Sequence, residues 1–241
     1  MLELKNLTKA YGALRVVDDM TLEIAQGETL GIIGPNGAGK TSLFSVIAGQ
    51  VAADSGEIRF CGQDVTRRPP FERCKAGLGR TFQVPRPFHG MTVFESAHVA
   101  ASFGAGLSGQ AASDFAAQAV ERTGLLRHLN EPCSSLTLLD RKRMELTRAL
   151  ATNPKMLLLD EIGGGLTDHE IHELIDILNQ IRDSGVSIVW IEHIVHALTS
   201  FVDRLIVINF GRKIADGNPK EVMALPEVHE IYMGVDIDDA A

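Results

Sequence analysis

The sequence predicts an α/β fold in which a largely parallel sheet is covered by helices. Three observations predict it. An apolar strand, Leu30 to Ile33, runs directly into a glycine-rich turn and then into a segment with helical spacing. From Met156 the chain alternates strand, helix, strand. The strands in that alternation, Met156 to Asp160 and Val186 to Ile191, are short continuous apolar runs, as expected of strands covered on both faces.

The other elements follow in order. Near the N-terminus Met20, Leu22 and Ile24 alternate with polar residues, and Gly56 to Cys61 has the same short-strand character. Thr41 to Ala48 reads as a helix with Leu43, Val46 and Ile47 on one face. Between Val84 and Cys133 the composition changes: Pro85 and Pro87 interrupt regular structure, and Ala, Gly and Ser dominate Ala97 to Ala119. That stretch reads as a mostly helical lobe with a flexible loop near Gly104 to Ser113. Thr167 and Glu170 have the spacing of a capping box, opening a helix that buries Ile171, Leu174, Ile175, Leu178 and Ile181 and ends at Gly185. The tail from Asp236 is acidic and reads as loose. A core in residues 1–83 and 153–235 and a helical lobe in residues 84–152 are expected.

Composition narrows the function class. A chain of 241 residues supports one core with an added lobe, and 45% hydrophobic with 22% charged residues is ordinary for a folded soluble protein. The net charge of −8 argues against a nucleic-acid partner, since phosphate binding calls for a positive surface. Cys61, Cys74 and Cys133 are odd in number and lack metal-like spacing, which suits reduced thiols. The start, Met1 to Lys5, lacks the basic-then-apolar layout of a signal peptide, and the apolar runs fall far below the ~20 residues of a membrane-spanning helix. The chain is therefore expected not to cross a bilayer by itself.

Gly34-Pro35-Asn36-Gly37-Ala38-Gly39-Lys40-Thr41 fits the P-loop pattern GxxxxGK(S/T). Its glycines let backbone N–H groups face a polyphosphate, and the helix that starts there adds its positive dipole end. Lys40 is expected to neutralise the outer phosphates, and the Thr41 hydroxyl to ligate Mg²⁺. Asp160 and Glu161 end an apolar strand that a parallel sheet brings to the ligand-binding edge. Asp160 is then suited to hold Mg²⁺ through water, and Glu161 to take a proton from the attacking water. Alone, such an acidic pair reads equally well as a strand cap; with the P-loop it points to hydrolysis of a nucleotide.

The remaining phrases resemble the nucleotide-binding domain of ABC transporters. Tyr11, in "LTKAYGALRVVDDM", matches the aromatic on which adenine stacks in that family, and Val16 and Ser42 match further nucleotide contacts. Gln83, in "GRTFQ", matches the glutamine that senses Mg²⁺ and the permease. His193, in "IVWIEHIVHAL", matches the histidine that contacts the γ-phosphate, with His196 as a nearby competitor. "GRTFQVPRPFHGMTVFESAHVAA" and "GRKIADGNPKEVMALPEVHEIYMG" look like the ATPase subunits of branched-chain amino-acid importers. The resemblance implies a P-loop NTPase core of ABC type with an N-terminal antiparallel β lobe and an inserted helical lobe, binding ATP and Mg²⁺. It implies membrane permeases docking near Gln83 and the helical lobe, a second ATPase subunit in a hetero- or homodimer, and a periplasmic or extracellular binding protein that feeds the system. It places the chain peripherally on the cytoplasmic side of the membrane. Urea, amides and aromatic acids are alternative solutes. A soluble ABC ATPase is a further alternative, though this chain has neither a second such domain nor a long coiled-coil insert.

One segment departs from the family. The signature, usually LSGGQ, aligns with Leu136-Thr137-Leu138-Leu139-Asp140, followed by the basic run Arg141-Lys142-Arg143. Thr137 keeps the hydroxyl that meets the partner subunit's nucleotide, but both glycines are leucines. Leucine is expected to disfavour the glycine backbone geometry, and the Asp140 charge to repel an approaching γ-phosphate. Leu107-Ser108-Gly109-Gln110 looks like a signature lacking one glycine, but lies too early and reads as a loop coincidence. Ile162 replaces a usual proline, Gly163 to Gly165 make a supple turn, and Thr167 stands where Asp or Asn is usual. The P-loop therefore reads as complete and the signature as impaired, which raises a nucleotide-binding module that no longer hydrolyses as a rival reading.

Overall fold

The structure, a computed structural model, describes residues 1–85, 88 and 90–233. Pro87 and the acidic tail from Asp236 lie outside the described residues. The elements in chain order are β1 (Leu2–Tyr11), β2 (Leu14–Ile24), β3 (Thr29–Ile33), α1 (Lys40–Ile47), β4 (Ser55–Phe60), β5 (Gln63–Asp64), α2 (Pro70–Lys75) and β6 (Leu78–Arg80). They continue with α3 (Val93–Phe103), α4 (Gly109–Arg122), α5 (Leu138–Ala151), β7 (Met156–Asp160), α6 (Asp168–Asp183), β8 (Ser187–Ile191), α7 (Val195–Phe201), β9 (Arg204–Asn209), β10 (Arg212–Gly217), α8 (Pro219–Met223) and α9 (Pro226–Met233).

The chain forms two compact units, Met1–Pro70 with Ile188–Ala241, and Phe71–Ser187. The first holds an antiparallel sheet in the order β2-β1-β4-β5. Its apolar face follows from period-two alternation: Leu2 pairs with Ile24, Leu4 with Leu22 and Leu7 with Met20, and all six are buried. In the same unit β3 runs parallel to β8 and to β9, and β9 turns back antiparallel into β10. All five residues of β3 are buried, as continuous apolar strands covered on both faces should be. Thr29 pins the start of β3: its hydroxyl donates to the Asp203 carboxylate at 2.6 Å and its N–H at 2.9 Å.

The second unit pairs β6 with β7 in parallel, Leu78 opposite Met156 and Arg80 opposite Leu158. This pairing explains why the unit extends beyond the Ala/Gly/Ser-rich helices to the strands on either side of them. The expected division lay at Val84 and Thr152, although the composition shift itself ends near Cys133. Thr92 and Glu95 cap α3 reciprocally, and Thr167 and Glu170 do the same for α6. The buried stripe of α6 is Ile171, Leu174, Ile177, Leu178 and Ile181, with Ile175 only half-buried. Ile177 completes the i, i+3, i+4 face that Ile175 leaves.

Two loop expectations are corrected. Residues Gly109 to Ser113 are the first turns of α4, so the loop spans only Gly104 to Ser108. Ala112, Ala116, Ala119 and Val120 recur at helical spacing and are buried, which outweighs the local Gly/Ser content. Leu107 to Gln110 is accordingly a helix start with Ser108 at the N-cap position, and not a free loop.

Candidate functional site

In the first unit the P-loop joins β3 to α1. Gly39 sits at the N-cap of α1 with φ +100, and a Cβ there would stand 1.9 Å from the Val16 carbonyl oxygen, so only glycine fits. Gly37 has φ +81 with open space where a Cβ would project, leaving the loop's outer edge uncovered. No side chain caps α1 and no acidic residue lies in its first turn, whereas α3, α5 and α6 all begin on a threonine cap. A helix start with neither cap nor acid suits an anion. Lys40 is buried, and its ammonium donates to the carbonyls of Gly34 at 2.6 Å and Pro35 at 3.0 Å. The loop thus folds back over the charge that would meet the phosphates. Pro35 and Gly39 are half-buried, Ala38 is buried, and Asn36 and Thr41 face outward with Ser42 behind them.

The loop is braced from the β9–β10 turn, where the Gly211 N–H donates to Ala38 O at 2.9 Å. The Gly211 carbonyl accepts from the Asp18 N–H at 2.9 Å, and Arg212 donates to the Asp18 carboxylate at 2.7 Å. Hydrogen bonds from Arg212 and then Arg15 hold the Asp18 carboxyl below the usual carboxylate range. Sequence reasoning missed this brace, because it joins positions almost two hundred residues apart. Tyr11 ends β1 half-exposed, with the Lys9 ammonium 5.5 Å from its ring centroid. Val16 is half-buried. His193 is exposed just past β8, and its N–H donates to the Glu192 carboxylate at 2.9 Å; His196 is exposed on α7. Glu192, nearly wholly buried beside the expected histidine, was legible only as part of "WIEH".

The second unit holds the acidic pair and the glutamine. Asp160 is buried, takes the Arg80 guanidinium at 3.0 Å, and donates its N–H to the Thr81 hydroxyl at 3.2 Å. Arg80 and Thr81 belong to the same "GRTFQ" phrase as Gln83, so the phrase carried more than its glutamine. Glu161 follows with φ +47, an uncommon backbone for a residue with a side chain. The Gln83 side-chain amide donates to the Glu161 carboxylate. Lys142, buried on α5, donates to the carbonyl of Gln83 at 3.0 Å and of Glu161 at 3.1 Å.

At the signature segment Thr137 caps α5, and Leu138, Leu139 and Asp140 form its first turn. Both leucines take helical backbone, so the cost expected from a lost glycine geometry does not arise. Asp140 is only 3% exposed and meets Arg143 at 3.4 Å, His128 at 3.5 Å and Arg127 at 3.9 Å. The expected repulsion of a γ-phosphate is corrected accordingly: the charge is turned inward and offset. What remains of the departure is bulk. Leu138 is 43% exposed, and a Cβ at Gly165 would lie 3.3 Å from its Cδ2, so the glycine turn leaves room for the leucine.

Among the described residues no group of three or more His, Cys, Asp or Glu side chains is placed to hold a metal, and no helix is long and apolar enough to cross a membrane. Thr41, Gln83 and Asp160 are hard oxygen donors of the kind that accept Mg²⁺ alongside phosphate oxygens and water, without an all-protein cage.

Comparison with known proteins agrees with this chemistry. The ABC transporter family profile matches residues 17–163. The lipopolysaccharide export system ATP-binding protein LptB of Escherichia coli is 34% identical over 233 residues, 96% of each chain. The high-affinity branched-chain amino acid transport ATP-binding protein BraF of Pseudomonas aeruginosa is 32% identical over 249 residues, 97% of this chain and 98% of its own. A crystal structure of the ADP conformation of an ATP-binding cassette of an ABC transporter superposes with a TM-score of 0.87 at 30% identity, covering 97% and 98% of the two chains. A P-loop with an uncapped helix start, an acidic pair at the end of a buried strand and full-length similarity to transport ATPases converge on one identity: this chain belongs to the ABC transporter family, as an ATP-binding and ATP-hydrolysing subunit.

Proposed function

We propose that the chain powers import of branched-chain or related amino acids by Mg²⁺-dependent hydrolysis of ATP. Lys40 neutralises charge on the outer phosphates, and the first turn of α1, with Thr41 and Ser42, orients them. Tyr11 stacks on adenine beside Val16. Thr41, Gln83 and Asp160 would hold Mg²⁺, which would supply charge neutralisation on the phosphate oxygens. Glu161 accepts a proton from water as its oxygen bonds to the γ-phosphorus and the bond to the bridging oxygen breaks, leaving ADP and phosphate. His193 contacts the γ-phosphate, and Thr137 serves the nucleotide of a second ATPase subunit.

The hydrogen bond between the Gln83 and Glu161 side chains carries this reading. It joins the loop expected to receive a permease helix to the expected base, so a push on one is felt by the other. An integral membrane permease, fed by a periplasmic or extracellular binding protein, completes the system, with this chain held peripherally on its cytoplasmic side. Import is supported by the "GRTFQVPRPFHGMTVFESAHVAA" phrase and by the BraF similarity across 97% of the chain. The LptB similarity favours a second reading, a subunit of a lipopolysaccharide export system. Deleting the gene and measuring uptake of labelled leucine, isoleucine and valine separates the two. Import predicts lost uptake restored by the wild-type gene. Normal uptake with a leaky outer membrane would favour export.

A further inference from the structure

Lys142 lies on α5, in the basic run after the signature segment. The side chain is 4% exposed, and its ammonium donates to two main-chain carbonyls, Gln83 at 3.0 Å and Glu161 at 3.1 Å. An ammonium withdrawn from water is costly unless acceptors replace its hydration, and hydrogen bonds from a charged donor are the strong ones. Both acceptors here belong to segments with chemical roles. Glu161 holds φ +47, a conformation that a non-glycine residue keeps only when its surroundings fix it. Its carboxylate is also bound by the Gln83 side chain, so main chain and side chain of the two residues are joined in one cluster.

We propose that Lys142 is a positioning residue for hydrolysis, fixing the backbones of Gln83 and Glu161 together on α5. The inference rests on the reading of Glu161 as the base. Five residues before Lys142, Thr137 caps the same helix. Movement of α5 is therefore transmitted at one point to both the glutamine loop and the base. The tie acts on the aim of the Glu161 carboxylate and leaves phosphate binding at Lys40 untouched.

The test compares Lys142→Met, Lys142→Gln and Lys142→Arg with the wild-type full chain. Lys142→Met removes both donors and should lower kcat by about 10²-fold, the scale of an ångström-sized misplacement, with KM for ATP unchanged. Lys142→Gln keeps a polar head one bond short, folds more readily and should show the same split. Lys142→Arg restores charge and donors and should recover most of the rate. Amide exchange should rise together in residues 81–85 and 160–166 of the Met and Gln variants, with α6 unaffected. Glu161→Gln, run in parallel, separates the two readings. If Glu161→Gln turns over normally, the base assignment fails, and exchange alone then judges the tie. If Glu161→Gln is inactive while Lys142→Met and Lys142→Gln keep wild-type kcat and exchange, the Lys142 inference is wrong. A rate loss that comes with raised KM and lowered melting temperature, and that Lys142→Arg does not restore, also overturns it.

Discussion

The Thr137 hydroxyl donates to the Asp140 carboxylate at 2.9 Å while the Asp140 N–H donates back to the Thr137 oxygen at 3.2 Å. The altered signature segment is thus a well-capped helix start and not a broken loop. Leu138→Gly with Leu139→Gly, leaving Asp140 in place, should lower stability by up to about 1 kcal/mol at exposed Leu138 and by roughly 2–5 kcal/mol at buried Leu139, read from thermal or urea unfolding. If leucine bulk obstructs the nucleotide of the second subunit, the same variant should raise phosphate release at that subunit's P-loop. The gain should persist when this chain also carries Glu161→Gln. A folded double variant with no gain in homodimer or heterodimer would remove the idea of an impaired signature.

Lys40→Ala and Glu161→Gln should fail differently. The first removes the cation that the Gly34 and Pro35 carbonyls hold inside the loop, so ATP binding and turnover should both drop. The second keeps shape and loses the base, with a rate loss of ~10²–10⁴-fold and retained binding. Equilibrium binding of a fluorescent ATP analogue, measured beside phosphate release, checks this; equal loss of binding in both variants would contradict the roles.

Tyr11 is 52% exposed at the end of β1, which a core aromatic would not be. Tyr11→Ala should weaken ATP binding by roughly 1–3 kcal/mol, the contribution of one base–aromatic stack. GTP affinity should fall in parallel, since any purine stacks. Calorimetry giving unchanged dissociation constants for both nucleotides would reduce Tyr11 to a surface residue.

Asp18 links the brace behind the P-loop to pH. Its native carboxyl lies below the ordinary value of 3.8 because Arg212, then Arg15, favours the charged form. Such a group contributes stability that is full above the ordinary value and lost as pH falls through the lowered native one. The melting-temperature gap between wild type and Asp18→Asn should therefore be constant near neutrality, shrink below about pH 3.8 and close in stronger acid. A gap independent of pH would show that Asp18 acts through packing alone.

Continuous apolar runs and contiguous motifs were legible in the sequence because their information is local. The buried strands β3 and β7, the Thr167–Glu170 capping box and the phosphate loop depend on residues a few positions apart, whose spacing fixes backbone and chemistry together. The family phrases around Tyr11, Gln83 and His193 were legible for the same reason. Tertiary structure decided what distant segments do to one another. Nothing near Asp140 in sequence announces that Arg127, His128 and Arg143 converge on it and turn its charge inward. Nothing in Arg141-Lys142-Arg143 distinguishes the lysine whose ammonium is withdrawn from water onto two carbonyls. Charge in a sequence has a sign but no partner and no burial, and only the fold supplies the distances and the solvent exclusion that determine what that charge does.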